Sequence, residues 1–367
     1  MFKSKRNALI KALWRSRVVE KESAIEETLY QACKCLFKRL KKNKDLEDLR
    51  ELVVAARDGG EESSGPCFFA DCDEIETQAG RLSPEVLTCR VWRWVDVDER
   101  SRLKSRPCCE RKSRKSDDGL VCINPYHYSR IDREDDAVAS LSDAGLRIST
   151  CQLSVGEKSD DCTCSTTFTV SSVTAESETS PMRTLSEYVQ SLGRGTRNWC
   201  NIAYWELMQR VGRMYNATSE CVDIYAESAL ANGLCIGPLT NDKRSDAIKR
   251  VRDHIGRGIQ ISCEDDGVWI YNQSDYPIFA QSPTLDYMSK GRLPAVKKVQ
   301  PGYSTRVFDF ERCREMLECE KTPQSGNIPD DPFSFRVSFA KGWGPSYTRQ
   351  YPSSCPCWIE VFLNVTR

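Results

Sequence analysis

The stretch of residues 333–367 constrains the fold most, because it has the pattern of two strands joined by an unusual loop. Its first part alternates apolar with polar residues, which is typical of a half-buried strand. The apolar positions are Phe333, Phe335, Val337 and Phe339. A second strand is predicted over residues 358–363. Together the two segments predict a β-rich unit in the C-terminal part of the chain.

The loop between these strands carries two glycines around a tryptophan. Its sequence includes Lys341-Gly342-Trp343-Gly344-Pro345, followed by Tyr347 and Arg349. Glycine tolerates positive φ angles, so this loop is predicted to push the Trp343 ring outward beside Lys341, Tyr347 and Arg349. Such a loop is suited to presenting side chains to a partner. A hairpin loop with an ordinary charged rim fits the same periodicity.

Composition limits the cellular context more than the chemistry. The 367 residues are enough for two domains and a linker, and 53 basic residues balance 53 acidic ones, so there is no global signal for binding a polyanion. The basic N-terminus lacks the apolar core of a secretory signal, and no run is long enough to cross a bilayer. We therefore expect no membrane insertion, and we expect the 19 cysteines to be free thiols or metal ligands.

Three amphipathic helices are predicted near the N-terminus, over residues 7–17, 25–40 and 46–56. The second ends in a cluster of cations that includes Lys38, Arg39 and Lys44. Cations suit a helix C-terminus, but the cluster also fits nuclear import or contact with nucleic acid. Residues 89–97 (CRVWRWVDV) alternate arginine with tryptophan and are predicted to form a strand.

A group of cysteines and one histidine follows this segment. Cys108 and Cys109 precede Cys122, and His127, one of only two histidines, lies five positions after Cys122. Thiolates and an imidazole suit tetrahedral zinc, although buried free thiols would fit the same spacing. A fourth ligand must come from elsewhere in the chain. The candidates for it are Cys67 and Cys72.

Residues 134–197 are rich in Ser, Thr and Asp and are predicted to be a disordered linker. Residues 198–367 then read as many short strands with few helices, which indicates a β-sandwich. One helix is predicted to begin at a cap on Asn241 or Asp242 and to run to His254, and a hairpin is predicted to turn at Asp266-Gly267. The predicted fold class is α+β with two domains, residues 1–133 and 198–367.

Several motifs in a fixed order resemble the Smad family. CRVWRWVD, CCE and VCINPYHYSR resemble the N-terminal Mad-homology (MH1) domain, and WCNIAYWE, RVGRMY, GLCIG, HIGRGIQI, PIFAQSPTLD, KGWG, YTRQ and SSCPCWIEV resemble the C-terminal (MH2) domain. The resemblance implies a small helical MH1-like domain and an MH2 β-sandwich with flanking helices. It also implies one structural Zn²⁺. The implied ligands are Cys67, Cys109, Cys122 and His127, with Cys109 preferred to Cys108 because it precedes a glutamate.

Within that family the sequence resembles the inhibitory Smads. The form KGWGxxYTRQ is similar to theirs, and the last five residues, LNVTR, contain no Ser-Ser-x-Ser phosphorylation motif. The resemblance implies binding to phosphorylated type I TGF-β/BMP receptors, which would block receptor-regulated Smads. The implied receptor-binding residues are Lys341, Arg349, Arg250 and His254, to which the loop adds Trp343 and Tyr347. His254 departs from the family, whose vertebrate members have lysine at the matching position.

The resemblance further implies partners and a location. Receptor-regulated and common-mediator Smads are expected partners, and the expected location is the cytoplasm and the nucleus. Ubiquitin ligases are also family partners, but the linker has no Pro-Pro-x-Tyr motif through which they are often recruited. Which ligase, if any, is bound is left open.

Two other classes of function are less favoured. In DNA-binding Smads a basic hairpin lies between the first zinc cysteine and the segment at Cys89, but here that interval is acidic. It contains Asp71, Asp73, Glu74 and Glu76, and Arg81 is its only basic residue. Because phosphate contacts dominate affinity for DNA, we expect weak or no specific DNA binding, with a DNA-binding repressor as the alternative. An enzyme is not expected, since no P-loop is present and a closed four-ligand zinc has no open position.

Overall fold

The computed structural model describes residues 2–20, 25–40, 43–57, 65–77, 80–111, 119–131, 198–226, 233–287, 296–320 and 332–364. The linker predicted over residues 134–197 lies outside the described residues, and so does the end of the tail, residues 365–367.

Four helices form the N-terminal core, because their apolar residues recur every three or four positions and face one another. They are α1 (Phe2–Trp14), α2 (Glu26–Arg39), α3 (Asn43–Arg57) and α4 (Pro84–Trp92). Leu13, Leu36, Leu49 and Leu87 are fully buried where the helices meet. The three helices predicted from periodicity are confirmed, although α1 begins five residues earlier than expected.

The strand predicted over residues 89–97 is wrong. Cys89 to Trp92 form the last turn of α4, which begins at Pro84 directly after the extended Ser83. Proline suits the first helical position because its missing N–H needs no partner there. The Trp92 ring packs 5.7 Å from the Phe37 ring, and its Nε1 donates to the Leu13 carbonyl at 3.2 Å. Packing against two helices therefore outweighs a short arginine–tryptophan alternation.

Short strands connect and extend this helical core. They are β1 (Phe69–Asp71), β2 (Ile75–Thr77), β3 (Gly80–Leu82), β4 (Arg102–Ser105), β5 (Leu120–Cys122) and β6 (Tyr128–Ile131). They pair antiparallel as β1 with β5, β2 with β3, and β4 with β6. A 3-10 turn, Pro125–His127, joins β5 to β6.

The C-terminal region is a sandwich of two sheets. Its strands are β7 (Cys200–Glu206), β8 (Gln209–Arg210), β9 (Tyr215–Ala217), β10 (Cys221–Tyr225), β11 (Gly233–Cys235), β12 (Ile259–Glu264), β13 (Gly267–Asn272), β14 (Ile278–Gln281), β15 (Lys297–Val299), β16 (Tyr303–Asp309), β17 (Ser334–Phe339) and β18 (Trp358–Leu363). One sheet has the order β11-β10-β12-β13-β16, and the other has β15-β14-β17-β18-β7-β8, with β9 also on β7. Their facing side chains form one apolar core that includes Ile261, Val307, Phe335 and Ile359.

Three helices and a second 3-10 turn complete the sandwich. They are α5 (Asp246–Asp253), α6 (Pro283–Tyr287), α7 (Phe310–Glu320) and the turn Pro352–Ser354. The predicted β-sandwich with flanking helices is confirmed, and β18 has the predicted bounds. Two local details were wrong. The cap of α5 is Ser245, whose side chain accepts from the Ile248 amide, and the β12–β13 turn is Asp265-Asp266, one residue earlier than expected.

The two regions share one sheet. Strand β6 of the N-terminal region pairs in parallel with β16, which extends the first sheet to β16-β6-β4. The paired positions are Tyr303 with Arg130 and Ser304 with Ile131. The sequence reading treated the regions as separate domains and did not anticipate this junction.

Candidate functional site

Four residues from separate segments converge beside the short strands of the N-terminal region. Cys67 lies two residues before β1, Cys109 follows β4, Cys122 ends β5, and His127 ends the 3-10 turn. Asn124 shapes that turn, because its side chain accepts from the Tyr126 amide at 3.0 Å while Pro125 starts the turn. Asn124 and Pro125 thus form a turn that is tight enough for His127 to face Cys122.

The geometry of this group fits a tetrahedral metal ion. One ligand atom from each residue lies within 4.8 Å of all the others. His127 Nδ1 is 3.4 Å from Cys67 Sγ and 3.5 Å from Cys122 Sγ, and the sulfurs of Cys67 and Cys109 are 3.9 Å apart. The other ring nitrogen, His127 Nε2, lies 3.2 Å from the Gly65 carbonyl oxygen. An Nε2–H that donates to this carbonyl leaves Nδ1 free to bind a metal.

The electrostatics of the group also suit a cation. Hydrogen bonding from the Cys122 thiol lowers the pKa of Cys109 to about 4 and that of Cys67 to about 7. The same two hydrogen bonds raise the pKa of Cys122. Thiolate is the form that binds metals, so the group holds negative charge ready for a cation. Cys72 and Cys108, the alternatives in the sequence, are exposed and outside this group.

Buried side chains support the loop between β17 and β18. Trp343 is 3% exposed and packs in a cluster with Phe279, Cys355 and Trp358. The expectation that its ring points outward is therefore wrong. Gly342 lets the backbone approach the sheet instead, since a Cβ there would lie 2.9 Å from the Phe279 ring of β14 and 2.6 Å from the Tyr347 ring.

The Lys341 backbone is fixed by this arrangement while its side chain faces solvent. Its carbonyl accepts hydrogen bonds from Ser338 Oγ at 2.5 Å and from Cys355 Sγ at 3.5 Å. Farther along the loop, the Gly344 amide donates to the Arg349 carbonyl at 2.7 Å. Lys341 is exposed and Arg349 is half-buried. Tyr347 packs edge-on against Phe279 and is 36% exposed, so it contributes to the rim.

The end of helix α5 lies beside this loop. The His254 ring stacks on Tyr276 at 3.8 Å, and the carbonyl of the next residue, Pro277, accepts from the Ala340 amide at 3.0 Å. Arg250 is exposed and lies one helical turn before His254, on the same side of the helix. The structure thus brings the predicted helix residues to the border of the predicted loop. We call Lys341, Arg349, Arg250 and His254 the basic surface.

Other cations nearby are committed to structural pairs. Glu206 is 2% exposed and accepts hydrogen bonds from Arg244 Nε at 2.9 Å and Arg252 Nη1 at 3.0 Å. Asn241 and the Tyr204 hydroxyl also donate to it. By contrast, Lys341, Arg349 and Arg250 form no salt bridge with any described residue. The charge of the basic surface is therefore available to a ligand.

Sequence reasoning missed the groups that support both sites. Nothing in the spacing identified the Gly65 carbonyl as the partner of His127, or Cys355 as a support of Lys341. It also missed Glu206, which lies on β7 in an alternating strand where a charged residue would be expected to face water. These contacts come from residues far apart in sequence, so a local pattern contains no signal for them.

The chain was compared with known proteins. An MH1 domain model matches residues 29–132 and an MH2 domain model matches residues 197–364. "Mothers against decapentaplegic homolog 6" of Gallus gallus is 37% identical over 360 residues, which cover 96% of this chain and 78% of that relative. "Mothers against decapentaplegic homolog 7" of Homo sapiens is 37% identical, with 76% of this chain and 63% of the relative covered. "Dwarfin sma-3" of Caenorhabditis elegans is 33% identical, with 93% and 88% covered.

The match thus spans less than two thirds of the human homolog 7. Among solved structures, the interferon regulatory factor 9 IAD domain has 12% identity and a TM-score of 0.34, with 46% of this chain and 84% of that chain covered, which is too remote to support an argument.

With an MH1 domain followed by an MH2 domain and this degree of identity, the chain belongs to the Smad family. Its resemblance to the inhibitory Smads is confirmed, because homologs 6 and 7 are inhibitory members. Smad family members regulate signalling and transcription and are not known as enzymes. Among the described residues, no helix has both the length and the apolar character needed to span a bilayer.

Proposed function

We propose that this protein is a non-enzymatic inhibitor of TGF-β/BMP signalling that binds phosphorylated type I receptors through the basic surface. Occupying the receptor in this way would keep receptor-regulated Smads from being recruited and phosphorylated. The proposal is carried by one observation. Lys341 and Arg349 have no acidic partner among the described residues, whereas Arg244 and Arg252 on the same end of the sandwich are paired with Glu206.

The chemistry of the surface favours a phosphorylated ligand. A phosphoserine or phosphothreonine carries nearly two negative charges and three acceptor oxygens at neutral pH. Arg349 can donate two parallel hydrogen bonds to it, and Lys341 can act as a point charge. Because the Lys341 carbonyl is anchored at 2.5 Å by Ser338, little backbone freedom is lost when the ligand binds.

We further propose that Cys67, Cys109, Cys122 and His127 hold one Zn²⁺. Three thiolates and one imidazole match the soft ligands that tetrahedral zinc prefers. Bound zinc would supply a cross-link between distant segments, which contributes directly to folding. The four protein ligands would leave no position for a substrate, so the site is structural and the protein is not an enzyme.

Specific DNA binding is not favoured. The β2–β3 hairpin lies where DNA-binding Smads have their reading element, and its Arg81 pairs with Glu76 across the hairpin at 3.2 Å. Asp71, Asp73 and Glu74 are exposed near it. Negative side chains there would repel phosphates. We propose that the protein acts in the cytoplasm and the nucleus through receptors and other Smads.

A kinase assay tests the inhibitor proposal. An activated type I receptor kinase domain phosphorylates a receptor-regulated Smad while the full chain is added in increasing amounts. The rate should fall with the wild-type chain and should not fall with Lys341→Glu/Arg349→Glu. A matched control, Lys11→Glu/Arg314→Glu, makes the same charge change at exposed positions elsewhere and should inhibit like the wild type. Equal inhibition by both double variants would contradict the proposal.

A further inference from the structure

Strands β4 and β6 extend the C-terminal sheet into the N-terminal region. Each of them adjoins a segment that carries a candidate metal ligand. Strand β4 ends at Ser105, four residues before Cys109, and β6 begins at Tyr128, directly after His127. Each strand is therefore close in sequence to a candidate metal ligand. Strand β6 pairs with β16 and β4 pairs with β6, so the placement of β6 on β16 depends on where those ligand segments are held.

Two arginines connect the ligand segments to the C-terminal region. The Arg106 amide donates to the His127 carbonyl at 2.8 Å, and its guanidinium lies 4.4 Å from the centre of the Tyr271 ring. The Cys109 amide in turn donates to the Arg106 carbonyl at 2.9 Å. Arg93 donates to the Pro125 carbonyl at 3.1 Å and to the Tyr271 hydroxyl at 3.0 Å. Tyr271 thus contacts two side chains that also hold the turn before His127.

The rest of the junction is polar and specific. Lys104 Nζ pairs with Glu264 at 2.5 Å and lies over the Trp269 ring. Ser304 Oγ lies 2.7 Å from Ser129 Oγ, and the Arg130 amide donates to the Gly302 carbonyl at 3.0 Å. Tyr271 is 4% exposed but is not a member of the apolar core of the sandwich. Its ring and its hydroxyl contact Arg106 and Arg93, so residues of the N-terminal region contribute to its burial.

We propose that the metal centre controls the docking of the two regions, so that metal binding and the β6–β16 junction stabilise each other. This inference rests on the proposed zinc at the four-residue site. With the metal bound, Cys109 and His127 are tied together, and the paired strands β4 and β6 are held so that β6 meets β16 in register. Without the metal, the segments that carry Cys109 and His127 separate, and the β6–β16 junction loses its geometry. The protein thus contains a metal-dependent connection between its N-terminal and C-terminal regions.

Thermodynamic reciprocity provides the test, because it probes the metal centre through residues far from it. If metal binding favours docking, then loss of docking must weaken metal binding by the same factor. Glu264→Lys and Tyr271→Ala alter only the C-terminal side of the junction, so they do not disturb the ligands or the N-terminal core. Glu315→Lys and Tyr351→Ala make the same kinds of change at exposed positions outside the junction.

The experiment measures Zn²⁺ affinity of the full-length chain by competition with a chromophoric chelator, alongside hydrogen exchange of peptides from β16. We expect both junction variants to exchange faster at β16 and to bind Zn²⁺ at least about fivefold more weakly, the lower end of typical coupling between sites. The two control variants should bind Zn²⁺ like the wild type.

Three results would overturn the inference. Junction variants that exchange faster at β16 but keep wild-type Zn²⁺ affinity would show that docking and metal binding are independent. Unchanged exchange at β16 would show that these contacts do not hold the junction. A wild-type chain that binds no Zn²⁺ would remove the metal centre itself, and this result would also refute the proposed zinc while leaving receptor binding untouched.

Discussion

Lys341 and Arg349 differ from Arg244 and Arg252, which pair with Glu206, in their lack of an acidic partner among the described residues. A charged side chain at a surface is usually either solvated or paired, so charge pattern alone says little about its role. What distinguishes this pair is that its backbone is held in place. The Lys341 carbonyl accepts from Ser338 and Cys355, and the Arg349 carbonyl accepts from the Gly344 amide. A fixed cation loses less freedom when it binds an anion than a mobile one does.

Glu206 is predicted to be essential for the stability of the sandwich. Replacement by Ala leaves Arg244 and Arg252 partly buried without their carboxylate, and removing one partner of a buried pair costs about 3–5 kcal/mol. Chemical denaturation should measure this loss in the free energy of unfolding. Asp275→Ala removes an exposed carboxylate paired with Arg257 and should cost less than about 1 kcal/mol. Similar losses in both variants would contradict our description of Glu206.

Gly342→Ala should distort the loop between β17 and β18. The added Cβ would lie 2.6 Å from the Tyr347 ring and 2.9 Å from Phe279, so the loop must shift. Overpacking of this kind costs about 1–3 kcal/mol and should lower the melting temperature. Adding Tyr347→Ala removes the closest contact and should recover part of the loss. A single variant as stable as the wild type would show that the loop adapts freely.

At the scale of elements, the candidate metal centre depends on four segments that only the fold brings together. The adjacent cysteines Cys108 and Cys109 offer a matched test, because one is exposed and the other lies within 4.8 Å of the other ligand atoms. We predict that the wild type and Cys108→Ser each hold one Zn²⁺ per chain, and that Cys109→Ser holds much less. Elemental analysis of purified protein measures this. Loss of zinc from Cys108→Ser alone would contradict the ligand assignment.

Metal removal should act mainly on the N-terminal helices and short strands. A structural zinc links folding to binding, so a chelator should speed hydrogen exchange in β1, β5 and β6. The far sheet, with β14, β17 and β18, should keep its protection because it contacts no ligand. Uniform loss of protection across both regions would indicate that the two unfold together.

Local patterns predicted some elements well and others poorly, for identifiable reasons. The α2 helix and the β18 strand follow from apolar spacing, which sequence displays directly. The strand predicted at Cys89 failed because the packing of Trp92 against Phe37 is a tertiary contact. The prediction that the Trp343 ring points outward failed for a similar reason, because glycines that allow an exposed aromatic also allow a close approach to the sheet. For the metal centre, spacing suggested three ligand positions, and the family resemblance was needed to choose among the cysteines.

At the scale of the whole molecule, the two regions form a continuous sheet through β6 and β16. The sequence contains no visible signal for this junction, because Arg130 and Tyr303 lie 173 positions apart and neither has a distinctive pattern. The candidate metal centre adjoins β4 and β6 at the edge of one sheet, and the loop between β17 and β18 belongs to the other sheet.

The most direct test of the account is the affinity of the full chain for a type I receptor kinase domain, phosphorylated and unphosphorylated, measured by calorimetry. We predict clear binding to the phosphorylated form, weak binding to the unphosphorylated form, and a loss of about two orders of magnitude or more with Lys341→Glu/Arg349→Glu. Charge-assisted hydrogen bonds contribute about 1.5–3 kcal/mol each, so losing two gives a change of this size. Equal affinity for the two receptor forms, or a double variant that binds like the wild type, would contradict the account.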